Sequence, residues 1–118
     1  MPYKTIISEK DLNNNINNKD FIIFDSRCDI KDRGYGIDSY TEGHIENSIF
    51  VDVDTDLASE KQQGTGRHPL PKVETFCDKL SHWGMDNNKQ AVIYDDAGGA
   101  FAGRMWWMLK WLGHENVA

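Results

Sequence analysis

The apolar positions of this chain fall into short dense bursts separated by polar, turn-forming stretches. Ala91, Val92, Ile93 and Tyr94 run without alternation, which predicts a strand covered on both faces. Phe21, Ile22, Ile23 and Phe24 repeat that signal. Thr5, Ile6 and Ile7 predict a short first strand. Ile45, Ile49, Phe50, Val51 and Val53 mark another strand region, with Asp52 and Asp54 turned to one side by the period of two. Helical spacing fills the intervals. Ser8 is placed to cap a helix from residue 9 to about 16, with Leu12 and Ile16 facing inward, and the asparagines at 13–18 keep it short. Pro71 suits the first position of a helix whose Val73, Phe76, Cys77 and Leu80 form an inward stripe and which Gly84 ends. That stripe makes Cys77 a core residue. Ser39 and Glu42 form a possible capping box for one helical turn closed by Gly43, after a polar loop at 28–38.

Residues 101–112 are too apolar for a single stripe. Phe101, Met105, Met108 and Leu112 share one face, and Trp106, Trp107, Leu109 and Trp111 cover most of the rest. Such a helix is expected to be wedged in a core, with Gly113 as its C′ residue. Strands alternating with helices predict an α/β fold with a mainly parallel sheet. The polar, glycine-bearing stretch at 58–69 is long for an idle loop in a compact domain.

Candidate chemistry concentrates at residues 95–100, Asp-Asp-Ala-Gly-Gly-Ala, between the strand at 91–94 and the tryptophan helix. A glycine turn entering a helix presents successive backbone N–H groups as an anion cradle. Asp95 stands where a nucleophile would, and no Cys, Ser or Thr lies between Ala91 and Gly113. The loop has the architecture of an active site without its nucleophile.

With 118 residues, the chain suits one domain. A net charge of −6 opposes non-specific binding to nucleic acid or anionic membranes. Cys28 and Cys77 lie in no metal or redox spacing, so neither metal nor cofactor is expected. Two reduced thiols, with no apolar leader or spanning run, point to a cytoplasmic protein.

Four segments in this order resemble the rhodanese family of sulfurtransferases: FIIFDSR at 21–27, YTEGHIENSIFVDVDTDL at 40–57, GRHPLP at 66–71 and VIYDDAGGAFAGRMWWMLKWLGHENVA at 92–118. More narrowly, the chain is similar to the first domain of the two-domain thiosulfate/3-mercaptopyruvate sulfurtransferases. In that group the second domain carries the cysteine that becomes a persulfide, and the first carries an aspartate at the place of Asp95. The resemblance implies a rhodanese-like three-layer fold, with residues 1–118 forming the N-terminal, non-catalytic domain. Its partners would be a C-terminal rhodanese domain and a small anionic sulfur donor. Two departures stand out. Glu46-Asn47 replaces the Pro-Gly common after GHI, and the family pattern continues beyond HENVA into a further strand of the sheet, so the domain is expected to be incomplete at its C-terminus.

The resemblance also implies groups lent to an interdomain cleft, which fall here at His68 and Asp54. A histidine near a thiolate stabilises its ionised form or moves a proton, and a carboxylate can orient it. From the residues alone, His68 is equally a surface-loop histidine and Asp54 a strand-end residue. Arg67 could draw an anionic donor or simply be solvated. His44 reads as a structural hydrogen-bonding group, and His82 and His114 as helix C-terminal residues suited to the dipole. Cys28 lies beside Arg27, which could lower its pKa, yet it lacks a cradle of donors and reads as a bystander. The expected function is thus half of a sulfurtransferase passing sulfane sulfur from thiosulfate or 3-mercaptopyruvate to a thiol or cyanide. The alternative is an inactive rhodanese-like binding module.

Overall fold

Seven elements follow one another in the computed structural model, which describes residues 3–29, 31–58 and 70–118. They are α1 (Glu9–Asn14), β1 (Phe21–Asp25), α2 (Tyr35–Glu42), β2 (Ser48–Phe50), α3 (Val73–His82), β3 (Gln90–Tyr94) and α4 (Ala102–Trp111). Every strand pairing is parallel, in the order β2-β1-β3. The result is a three-layer α/β fold with helices on both faces of the sheet.

Register explains the layers. Ile22 pairs with Ala91 and Phe24 with Ile93, so these four share one face. There they meet Phe76 and Leu80 of α3 and Met105, Met108 and Leu109 of α4 in the main core. Phe24 is completely buried, with the Trp83 ring edge-on at 5.5 Å. The opposite face carries Ile23 and Val92 together with Asp25, Tyr94 and Ser48. Here α2 covers the sheet, with Tyr40 Oη donating to the Ser48 carbonyl at 2.6 Å. The chain leaves β1 for β2 on one side and returns across β1 to β3, so connections of the usual right hand put α2 and α3 on opposite faces.

Local chemistry sets the element ends. Ser8 caps α1 by accepting from Asp11 N. Both α3 and α4 stop in Schellman motifs: Gly84 N bonds Ser81 O and Met85 N bonds Leu80 O, while Gly113 N bonds Lys110 O and His114 N bonds Leu109 O. Gly84 and Gly113 stand at φ 88° and 91°, where a side chain would be strained. Asn47 also takes a left-handed conformation, φ 68°, which asparagine tolerates better than most residues. Its side-chain amide donates to Ile16 O and ties α1 to the turn before β2.

Several expectations are corrected. Residues 5–7 form no strand, and Ile6 is 81% exposed. Three consecutive apolar residues do not make a strand without an edge to pair with. Residues 116–118 instead lie along the outer edge of β3: Ala91 N donates to Asn116 O, Ala118 N to Ala91 O and Ile93 N to Ala118 O. Ser39 sits inside α2, which begins four residues earlier, so no capping box forms. The α3 helix starts at Val73 with Lys72 at its N-cap, leaving Pro71 outside it. Only Phe76 and Leu80 of its predicted stripe are buried; Val73 and Cys77 are exposed, because the core contacts one turn-spaced pair and no wider arc. Around α4, Trp107 and Trp111 are about half exposed and stack on each other at 5.8 Å, so the helix is not enclosed. The strand region at 45–53 narrows to three residues. Its alternation nevertheless persists past the strand, with Val51 and Val53 buried and Asp52 and Asp54 half-buried.

Gly36 is the tightest point of the α2 contact. A Cβ there would come within 2.3 Å of Arg27 O and 3.1 Å of the Phe50 ring, whereas one at Gly43 would touch nothing. Gly36→Ala is therefore expected to lower stability by about 1–3 kcal/mol, with Gly43→Ala close to neutral. Urea denaturation of both variants checks this; equal midpoints would show that α2 does not pack this closely on the β1 end.

Candidate active site

All three strands point the same way, so their carboxyl ends open onto one edge, the usual position of ligand sites in open α/β sheets. Cys28 follows β1, the 51–58 segment follows β2, and Asp95 follows β3. A cleft of about 630 Å³ lies at this edge, lined by Cys28, Asp29, Lys31, Tyr35, Asp96, Ala97 and Phe101.

Beneath the cleft is a buried polar cluster. Asp25, with no exposed surface, accepts from Arg27 Nη2 at 2.7 Å and from Tyr94 Oη at 2.8 Å. The same Arg27 nitrogen reaches Gly43 O at 2.6 Å. Tyr94 Oη in turn accepts from Ile45 N and lies 3.3 Å from Ser48 Oγ. Burial, then contact with Asp25, raises the Tyr94 pKa against the opposing bonds from Ser48 and Ile45. The phenol therefore stays a neutral donor.

At the turn after β3 the carboxylate of Asp95 occupies the anion cradle itself. Oδ1 accepts from Ala97 N at 3.0 Å and Gly99 N at 2.9 Å; Oδ2 accepts from Phe101 N at 2.9 Å and Ala102 N at 2.8 Å. Gly98 and Gly99 both have positive φ, which curls the turn so that these N–H groups converge. Partial burial alone would raise the Asp95 pKa, but the four backbone bonds outweigh it and hold the carboxyl below its ordinary range. The next residue, Asp96, accepts from the Tyr35 hydroxyl, which raises the Tyr35 pKa.

Cys28 is not activated by its neighbour. Arg27 is turned away into Asp25, and burial together with Asp54, Asp52 and Asp29 pushes the thiol up to about 11. The lowering that Arg27 could have caused does not occur, because sequence adjacency at a strand end does not fix where the guanidinium points.

Asp54 reaches the same edge on the 51–58 segment, with Arg33 Nε at 3.8 Å. His68 and Arg67, with residues 59–69 of the loop expected at 58–69, lie outside the described residues. His44 is held by Tyr40: its Nδ1 is 2.7 Å from Tyr40 O and the two rings stack at 3.7 Å. His114 Nε2 lies 2.9 Å from Lys89 O, joining the end of α4 to the residue before β3. Trp106 donates from Nε1 to Lys4 O and Val117 O. Sequence reasoning passed over Arg104, in the first turn of α4, whose Nε donates to Leu57 O at 2.9 Å. The signal for it was an arginine at helical position three inside an otherwise apolar helix.

No helix among the described residues is long and apolar enough to cross a membrane. The family model for the rhodanese-like domain matches residues 8–118. A probable 3-mercaptopyruvate sulfurtransferase of Pseudomonas aeruginosa is 39% identical over 112 residues, covering 94% of this chain and 39% of that protein. A mitochondrial thiosulfate/3-mercaptopyruvate sulfurtransferase of Arabidopsis thaliana is 32% identical over 113 residues, covering 95% of this chain and 29% of that protein. Among solved structures, the 3-mercaptopyruvate sulfurtransferase from Leishmania major superposes with a TM-score of 0.80 at 33% identity, covering 90% of this chain and 30% of that one. The chain thus spans well under half the length of these relatives. With its parallel sheet, glycine turn and carboxyl-edge cleft, it belongs to the rhodanese family of sulfurtransferase-related domains.

Proposed function

We propose that this chain is the first, non-catalytic domain of a two-domain sulfurtransferase that takes sulfane sulfur from thiosulfate or 3-mercaptopyruvate. A cysteine on a second rhodanese domain would attack the outer sulfur of the donor, hold it as a persulfide and release it to a thiol or cyanide. The observation that carries this reading is the Asp95 carboxylate filling its own cradle. Four donors that could stabilise a thiolate or persulfide are already bound to an internal anion. The modest share of each relative's length that this chain covers also supports it.

In this proposal the domain closes one wall of an interdomain cleft and supplies His68 and Asp54 in supporting roles. His68 would stabilise the partner's thiolate, and Asp54, already at the carboxyl edge, would orient it. The acidic character of this edge fits a wall better than a donor-binding pocket, since Asp29, Asp52, Asp54 and Asp96 repel a small anion. A second reading, an inactive binding module, rests on the same filled cradle, and the tests below separate the two.

The 118-residue chain alone is expected to release no thiocyanate from thiosulfate and cyanide and no pyruvate from 3-mercaptopyruvate. With a Cys28 pKa near 11, only ~10⁻⁴ of that thiol is ionised at pH 7. Turnover that disappears in Cys28→Ser would make Cys28 the nucleophile and overturn the assignment. In the two-domain protein, His68→Ala should cut turnover with little loss of thermal stability, and Asp54→Asn should cut it less. A two-domain protein with no turnover at all would favour the binding module.

The filled cradle has a pH signature. Because the folded-state pKa of Asp95 is depressed, its stabilisation is complete above the unfolded carboxyl value near ~3.9 and is lost as pH falls through the folded value. Asp95→Ala should therefore be less stable than the wild type by about 1–3 kcal/mol at pH 7, with the gap narrowing toward pH 3. Urea midpoints at both pH values measure it; an unchanged gap would mean the carboxylate is not bound as described.

A further inference from the structure

The segment after β2 is irregular backbone, yet it is held at both ends and from two helices. Val51, Val53, Leu57 and Ala58 are buried and anchor it to the core. Its acidic residues fold it locally: Asp52 Oδ1 accepts from Asp54 N and Thr55 N, and Asp56 Oδ2 accepts from Asp52 N. Two cations grip it from outside. Lys79 of α3 donates to Thr55 O at 2.8 Å and to Asp56 Oδ1 at 3.0 Å. Arg104 of α4 donates to Leu57 O at 2.9 Å, two residues after Ala102 N binds the Asp95 carboxylate.

We infer that Lys79 and Arg104 are positioning residues that clamp this strap and so fix where Asp52 and Asp54 stand at the carboxyl edge of the sheet. The catalytic part of this inference rests on the proposed role of Asp54; the geometric part does not. Neither cation lines the cleft. Lys79 touches the strap on Thr55 and Asp56, one and two residues beyond Asp54, and Arg104 touches it one residue further on. Val51, Val53, Leu57 and Ala58 hold the strap from the core side, and the two cations hold it from the helices. Arg104 also couples the two site elements, since its own helix begins at the Asp95 cradle.

Cys28 reports on the strap without any turnover. Asp29 from its own loop and Asp52 and Asp54 from the strap act on the thiol, and Lys31, Tyr35 of α2 and Asp96 of the turn after β3 line the same cleft as Cys28. Burial raises its pKa first, and Asp54 and Asp52 are the next causes. A strap released from its clamps carries those two charges away, and the thiol becomes more acidic.

The pH dependence of Cys28 alkylation in the 118-residue chain, in a Cys77→Ser background, tests the geometric part. Lys79→Met and Arg104→Met should each shift the titration downward by roughly half a unit or more, and Lys79→Arg should restore the wild-type curve. Lys79 is a partly exposed surface residue, so its variant is not expected to unfold the domain. An unshifted titration in both methionine variants overturns the inference. In the two-domain enzyme, Lys79→Met should lower kcat roughly tenfold with KM nearly constant, and add nothing further in an Asp54→Asn background. Additive losses in that double variant would show that Lys79 acts apart from Asp54 and overturn the positioning role. A shifted thiol combined with full turnover in Asp54→Asn would support the clamp while refuting the supporting role proposed for Asp54.

Discussion

A buried carboxylate holds the working edge of this domain together. Asp25 ends β1 with no exposed surface, and its partners come from three places: Arg27 from the following loop, Tyr94 from β3, and through Arg27 the carbonyl of Gly43 at the end of α2. Tyr94 extends the network to Ile45 and Ser48, where β2 begins. A buried charge stripped of its partner typically costs 3–5 kcal/mol, by order of magnitude about a third to a half of a domain's stability. The consequence is geometric as well as energetic. The ends of β1 and β3, the start of β2 and the end of α2 cannot drift independently, so the loops that leave them start from fixed points.

Those loops divide the chemistry between them in an unexpected way. The cradle after β3, built from two left-handed glycines and the start of α4, is an anion site whose anion is covalently attached. The thiol after β1 lies among carboxylates and is kept protonated. The strap after β2 carries acidic side chains outward while its valines and leucine stay buried. This distribution fits the proposed role as one wall of a shared cleft. A wall should be stable without ligand, and a self-bound carboxylate achieves that where a free cradle would not.

The effect of Asp52 and Asp54 on Cys28 also shows why charge near a thiol cannot be read from neighbours in sequence alone. Arg27 is adjacent to Cys28 in the chain, but its guanidinium is committed to Asp25 below the sheet edge. After burial, the carboxylates that raise the thiol most, Asp54 and Asp52, arrive from a different strand end, some two dozen residues later.

The sequence by itself determined the strands at 21–24 and 91–94, the glycine stops of α3 and α4, and the nucleophile-free turn at Asp95. These are local properties. An unbroken apolar run, a glycine forced to positive φ and the side-chain type at one position depend on a few adjacent residues. The alternation of Val51, Asp52, Val53 and Asp54 even predicted burial correctly where no strand forms, since side-chain direction follows backbone extension and needs no ladder. Tertiary structure decided the rest. Residues 5–7 had strand-like side chains and no partner edge; Cys77 and Val73 had helical spacing but faced solvent; Trp107 and Trp111 stacked on each other outside the core. Whether the Asp95 carboxylate would oppose an anion in the cradle or fill it turned on the curl of one glycine turn. That Lys79 and Arg104, from separate helices, meet on the strap bearing Asp54 could be seen only once the sheet had brought α3 and α4 to the same face. Such contacts join residues dozens of positions apart, and no local pattern encodes them.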